Sequence, residues 1–274
     1  MSSTPDRYGV LGYPIGHSRS PVIHTVFAQQ TGQGMRYEAI ETKPDDLEST
    51  IAKFRREGGR GLNITVPHKG EVVRLVDEMS EHAATAGAVN TLSLEDDRIV
   101  GTNTDGIGLV RDIIANKGWS LHGTRVLILG AGGATRGIVR PLLEQGVAEI
   151  VIANRSLDKA IALAAHFGSF GDVASERFDD LGSHASFDVV VNATAAGLSG
   201  ERPVFPASII ASKTRCYDLA YGRSSKPFLD WARRIGAAET ASGWGMLVEQ
   251  AAESFYVWRG VQPDTSDVIS RYDG

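Results

Sequence analysis

The chain has 274 residues, 42% of them hydrophobic and 22% charged, which is apolar material enough for two domains with separate cores and excludes a disordered chain. A formal net charge of −5 with no basic stripe argues against nucleic acid as a partner and favours a small molecule. The lone Cys216 excludes an internal disulfide; the first residues lack an apolar signal segment and no run approaches the roughly 20 apolar residues of a membrane helix, so a cytoplasmic protein with no membrane partner is expected.

Residues 8–12 read as a strand, 21–30 as a helix, 35–40 as a strand, 47–55 as a helix and 61–66 as a strand. This alternation predicts βαβ units and a mostly parallel sheet. Between the first strand and helix, Pro21 suits a first helical turn and Ser20 the N-cap before it. The hydroxyls of Ser18 and Ser20 then face free backbone N–H groups, a seat for a carboxylate; a plain cap at Ser20 is the other reading. On the strand 61–66, Asn63 and Thr65 share a face. Pro67 breaks that strand, so Lys69 is expected to begin a helix beside them, where the helix dipole disfavours a cation and its placement asks for another reason. Residues 89–94 and 98–103 read as a hairpin, bringing Asn90 and Asn103 to its ends, and Asp105 precedes a helix over 107–117. Asp105 is either the cap of that helix or a site residue.

The alternation restarts at 125, with strands at 125–129, 149–153, 188–192 and 215–219 and helices at 135–145 and 156–167, the doubly wound plan. Helices over 246–258 and 264–271 close the chain. The turn Gly130-Ala131-Gly132-Gly133-Ala134 lies between strand and helix. Gly130 permits the tight turn and Gly132 lets backbone N–H groups approach a pyrophosphate, which the helix N-terminus attracts. An ordinary βα turn is the alternative, and Thr135 stands where the dinucleotide fingerprint has a third small residue, so the helix is expected to pack differently on the strand. The second strand ends in Asn154, Arg155 and Ser156, with Lys159 one turn on and no carboxylate at the tip. Arg155 offers a fork for a phosphate and Ser156 a hydroxyl and helix N-cap, favouring NADP over NAD; solvated surface charges are the competing reading. His17, His24 and His68 lack metal-ligand spacing, and no metal is expected.

Together these ordered runs resemble the shikimate dehydrogenase family over nearly the whole chain. They comprise Ser18 to Pro21, Asn63 to Lys69, Gly87 to Thr91, Asn103 to Gly106, Gly130 to Ala134, Asn154 to Ser156, Asn192-Ala193-Thr194 and Gly243 to Gln250. The resemblance implies an N-terminal α/β substrate domain, 1–105 completed by 244–274, and a Rossmann-like NADP domain, 106–243. It implies reversible reduction of 3-dehydroshikimate to shikimate with NADPH, on the chorismate route to the aromatic amino acids. Ser18 and Ser20 would hold the carboxylate, Asn63, Thr65, Asn90, Asp105 and Gln250 the ring hydroxyls, and Lys69, paired with Asp105, would be the general acid/base. Thr194, Leu219 and Gly243 would lie on the nicotinamide side and Tyr221 on the substrate side. Ala195 and Ala196 depart from the small hydroxyl residues frequent after Asn-Ala-Thr. Competing expectations are a quinate/shikimate dehydrogenase, a methylenetetrahydrofolate dehydrogenase, against which Ser18 to Pro21 argues, and a silent nucleotide-sensing member, which would lack Lys69 or Asp105. A monomer and a homodimer both remain open.

Overall fold

The computed structural model describes residues 4–194 and 205–272; Ala195 and Ala196 lie outside them. The chain divides into two compact units, Met1–Gly108 with Val248–Asp273, and Leu109–Leu247 with Gly274. Both divisions fall inside helices rather than in loops.

The first unit runs β1 (Asp6–Gly12), α1 (Ser20–Gln30), β2 (Met35–Glu41), α2 (Leu47–Arg56), β3 (Gly59–Ile64), β4 (Glu78–Met79), α3 (Glu81–Ala86), β5 (Thr91–Leu94) and β6 (Ile99–Thr102), then enters α4 (Asp105–Arg111). Its sheet has the order β2-β1-β3-β5-β6-β4. The β1, β2 and β3 pairings are parallel, and the expected hairpin of β5 and β6 adds antiparallel pairs. On α2, Leu47, Ile51 and Phe54 are buried at helical spacing and pack with Leu11, Leu62 and Leu92 of the sheet. The helix 107–117 differs from expectation: α4 ends at Arg111 and a π-helical turn, Asp112–Asn116, follows.

The second unit runs β7 (Arg125–Leu129), α5 (Gly133–Leu143), β8 (Glu149–Asn154), α6 (Leu157–Phe167), β9 (Val173–Arg177), β10 (Val189–Asn192), β11 (Arg215–Asp218), α7 (Lys226–Ile235) and β12 (Glu239–Ser242). All its strands are parallel, in the order β12-β11-β10-β7-β8-β9. This is the doubly wound order, with its reversal between β7 and β10, where such sheets open a crevice at the carboxyl ends of the strands. Val126 to Leu129 and Val189 to Val191 are buried on both faces, as helices on the two sides of a parallel sheet require. The sequence reading overlooked β9, α7 and β12. The first and last are short edge strands with one buried residue between them, Ala241, so no apolar run announces them.

The chain then enters α8 (Trp244–Arg259), which belongs to the first unit from Val248 on, and ends in α9 (Ser266–Tyr272). Within that unit, Trp258 donates its indole N–H to the Leu92 carbonyl at 3.0 Å, and Arg259 pairs with Asp6 and donates to Gln33. No helix among the described residues is long and apolar enough to cross a membrane.

Candidate functional site

In the first unit the polar residues named from the sequence gather where β3 and β6 end and α8 packs. Asp105 is the first residue of α4, its backbone N–H held by Asn103 Oδ1 at 3.1 Å. Lys69 Nζ donates to Asp105 Oδ2 at 2.6 Å, with 23% of the lysine side chain and 7% of the aspartate exposed. Asn90 donates to Asp105 Oδ1 at 3.0 Å and Gln250 Oε1 at 3.2 Å, and its own oxygen accepts the Thr104 N–H. Asn63 accepts from the Tyr37 hydroxyl at 2.7 Å and directs its amide nitrogen at the Asn90 carbonyl, Thr91 Oγ1 and Ser254 Oγ. An amide nitrogen has two hydrogens, so both asparagines are already committed on their donor side. A ligand meets Asn63 most directly as a hydroxyl donating to its oxygen.

Three buried hydroxyls that the sequence reading passed over join this cluster. Ser254 Oγ lies 2.8 Å from Thr91 Oγ1 and 3.2 Å from Thr104 Oγ1, and donates to the Gln250 carbonyl one turn back on α8. Thr91 and Thr104 stand inside motifs already singled out, and Ser254 follows Gln250 at helical spacing; those positions were the available signal. Tyr37 was missed as well. Its phenol is pushed well above the ordinary range by burial, the Ser20 hydroxyl acting in the opposite sense.

Two local expectations need correction. Ser20 is not an N-cap: α1 starts at Ser20, Arg19 occupies the cap position, and Ser18 Oγ accepts the Ser20 N–H at 3.3 Å. Pro21 tolerates the first turn, so the helix begins one residue earlier than the cap reading allowed. Lys69 does not begin a helix; it lies in the turn after the cis Val66–Pro67 bond, and the following segment, Glu71–Leu75, is 3-10. Its conflict with a helix dipole therefore disappears. Thr65, just past β3, leans its methyl over Gly12. Tyr221 belongs to the second unit, near Trp244 at 6.0 Å between ring centroids.

In the second unit the glycine turn closes β7. Gly130 has φ +107° and a Cβ there would come 3.0 Å from the Ala193 carbonyl oxygen, so both conformation and space require glycine. Gly132 caps α5 and Gly133 starts it, with nothing within 4 Å of either where a Cβ would stand. This open backbone at a helix N-terminus fits a pyrophosphate. The threonine at the third fingerprint position is accounted for: Thr135 is fully buried and donates to the Gly130 carbonyl at 2.8 Å, tying helix to turn. Asn154 donates to the Ser156 carbonyl; Ser156 takes the N-cap position of α6 but makes no capping bond with its side chain. Arg155, Ser156 and Lys159 are exposed, and neither cation makes an ion pair among the described residues, leaving both available to a phosphate. Ala131 lies within the turn, between Gly130 and Gly132, and Ala134 is the second residue of α5. Thr194, Leu219 and Gly243 lie just past the ends of β10, β11 and β12, and at the end of β11 burial raises the Asp218 carboxyl to about 7 against the Asn192 and Ala220 hydrogen bonds. No group of three or more His, Cys, Asp or Glu among the described residues is placed to hold a metal ion.

Three family models match the chain: the shikimate dehydrogenase substrate binding domain over residues 10–92, shikimate/quinate 5-dehydrogenase over 112–213, and the shikimate 5′-dehydrogenase C-terminal domain over 243–270. Shikimate dehydrogenase (NADP(+)) of Aromatoleum aromaticum is 53% identical over 270 residues, covering 97% of this chain and 96% of that protein. The chain belongs to the shikimate dehydrogenase family. Among solved structures, an enzyme of Pseudomonas putida superposes with a TM-score of 0.91 at 49% identity, over 97% of each chain. Shikimate 5-dehydrogenase of Thermus thermophilus, solved in complex with NADP(H) and shikimate, gives 0.85 at 33% identity over 95% of this chain and 96% of that one. Membership accounts for why the polar cluster and the glycine turn occur in one chain: family members pair a substrate binding domain with a dehydrogenase domain.

Proposed function

We propose that this chain interconverts 3-dehydroshikimate and shikimate with NADP(H), in the cytoplasm, as a step toward chorismate and the aromatic amino acids. The observation that carries the reading is the Lys69–Asp105 pair at 2.6 Å, wired through Asn90 to Gln250. Residues 1–105 with 244–274 form the substrate half and 106–243 the NADP half.

The backbone of Gly130 to Ala134 would hold the pyrophosphate, Asn154, Arg155, Ser156 and Lys159 the 2′-phosphate end, and Thr194, Leu219 and Gly243 the nicotinamide end. When bound, NADPH supplies a hydride to a ring carbonyl carbon. The Lys69 ammonium gives a proton to the carbonyl oxygen as it becomes a hydroxyl, and the resulting amine regains a proton from water. Asp105 keeps the ammonium aimed and compensates its charge. Ser18 and Ser20 seat the carboxylate. Asn63, Thr65, Asp105 and Gln250 fix the hydroxyls; Asn90 reaches them by sharing a hydrogen it already gives to Asp105 or Gln250. The substrate is a small acid, neither nucleic acid nor a membrane is involved, and a monomer or homodimer suffices.

NADP⁺ reduction with shikimate, with quinate and without either acid tests the reading. Shikimate is expected to support turnover well beyond quinate. Absence of reduction with shikimate overturns it, and preference for quinate moves the activity to that acid.

A further inference from the structure

Asp218 ends β11 with a carboxylate that is 1% exposed and has no ion-pair partner among the described residues. Its two oxygens are each used once. Oδ2 accepts from Asn192 Nδ2 at 2.9 Å, and Oδ1 accepts the Ala220 backbone N–H at 2.8 Å. Asn192 ends the adjacent strand β10, and its oxygen accepts both the N–H and the hydroxyl of Thr194, at 3.2 and 2.7 Å. The Asn192 carbonyl accepts the Leu219 N–H, and the Ala220 carbonyl accepts the Gly243 N–H, each at 2.9 Å. A Cβ on Gly243 would collide with the Leu219 carbonyl, so these segments are in close contact.

Burying a carboxylate without a cation is costly, and packing here asks for nothing ionisable. An asparagine would have the same shape. The difference is that both neighbours are donors, the Asn192 amide and the Ala220 N–H, and only an ionised carboxylate, the form Asp218 takes above about pH 7, presents two acceptors and no hydrogen. The ends of β10 and β11 lie beside the reversal of strand order, and Ala193, between Asn192 and Thr194, abuts Gly130.

We infer that Asp218 is a positioning residue for the nicotinamide end of the NADP site, acting through Asn192 on Thr194 and through Ala220 on the backbone of residues 219–221 and Gly243. The inference rests on the NADP reading above, and it separates two parts of the cofactor site. The glycine turn and Arg155 follow β7 and β8, and the hydrogen bonds of Gly130 run to Ala153 and Thr135 rather than to this clamp.

Asp218→Asn offers one acceptor to two donors and turns an amide against the other. Leaving one buried donor unmet is expected to raise Kd for NADPH and KM for NADP⁺ about tenfold. KM for shikimate should stay near wild type, as should the affinity for 2′,5′-ADP, which carries the 2′-phosphate but no nicotinamide. The exchanged pair Asn192→Asp with Asp218→Asn restores every bond: the carboxylate introduced on β10 would accept from Thr194 and from the amide introduced on β11, whose oxygen accepts the Ala220 N–H. It is expected to regain most of the NADPH affinity, and it decides the question even where Asp218→Asn alone does not fold. Unchanged NADPH affinity in Asp218→Asn, equal weakening of 2′,5′-ADP, or a folded exchanged pair that binds 2′,5′-ADP and not NADPH overturns the inference. Wild-type protein that binds no NADPH overturns the NADP reading itself.

Discussion

Lys69 Nζ and Asp105 Oδ2 are 2.6 Å apart, and the other oxygen of Asp105 is held by Asn90, so the carboxylate is oriented from both sides. An ammonium anchored through one hydrogen keeps its others for a ligand. Lys69→Ala is expected to lower kcat by about 10²- to 10⁴-fold, the usual share of an acid/base group, while KM for shikimate moves far less. Steady-state NADP⁺ reduction checks this, and near-normal turnover rejects the assignment.

Asn90 is 2% exposed and bonds to Thr91, Thr104, Asp105 and Gln250. Its replacement by alanine leaves the buried Thr104 N–H and two side-chain acceptors unmet. Asn90→Ala is therefore expected to lose stability, by about 1–3 kcal/mol for each group left unsatisfied, as well as activity. Thermal unfolding of the free protein distinguishes it from Lys69→Ala, which removes a partly exposed ammonium bonded to Asp105. Equal melting temperatures for Asn90→Ala and wild type would show that the amide is not a structural hub.

Arg155 is exposed beside β8 without an ion pair among the described residues, and no carboxylate ends that strand. Hydrogen bonds to a charged group are worth about 1.5–3 kcal/mol, so Arg155→Ala is expected to weaken NADP⁺ roughly ten- to a hundredfold and to leave NAD⁺ nearly unchanged. The ratio of kcat/KM for the two nucleotides reads this directly. A parallel loss for both would place Arg155 outside phosphate recognition.

Much of this was legible because particular residues admit few alternatives. Val126 to Leu129 followed by Gly130 is an apolar strand entering a turn, and Asn63, Lys69, Asn90 and Asp105 stand out as polar residues at the ends of elements, whereas Gln250 could be named only through the family resemblance. What stayed hidden depends on tertiary partners. Ser254 is an unremarkable helical serine until Thr91 and Thr104 meet it. Glu239–Ser242 is a strand because β11 pairs with it, not because of its own pattern. Ser20 and Lys69 were misplaced by one local rule each: hydroxyl residues before helices are usually caps, and a break after a strand usually starts the next element. Backbone conformation around Pro21 and Pro67 decided otherwise.

Two buried groups give the fold opposite responses to pH. His24 stacks on Tyr37 at 4.2 Å with neither ring nitrogen bonded, and burial lowers its pKa from 6.5 to about 3. The unfolded chain thus binds a proton that the folded chain refuses; the stability is present above 6.5 and is lost as pH falls toward 3, a loss on the order of 5 kcal/mol. Asp218 behaves the other way. Its folded pKa is raised from 3.8 to about 7, so the folded state holds the extra proton, and stability falls as pH rises between those values by up to about 4 kcal/mol. Chemical denaturation of the free protein at a series of pH values separates them. Because the two windows overlap, the responses oppose one another between about pH 4 and 6.5 and largely cancel; His24→Phe is expected to leave a net decline in stability as pH rises through that range, and Asp218→Asn a net loss as pH falls through it. If the pH profile of His24→Phe matches that of wild type, the buried imidazole is not a source of the pH dependence.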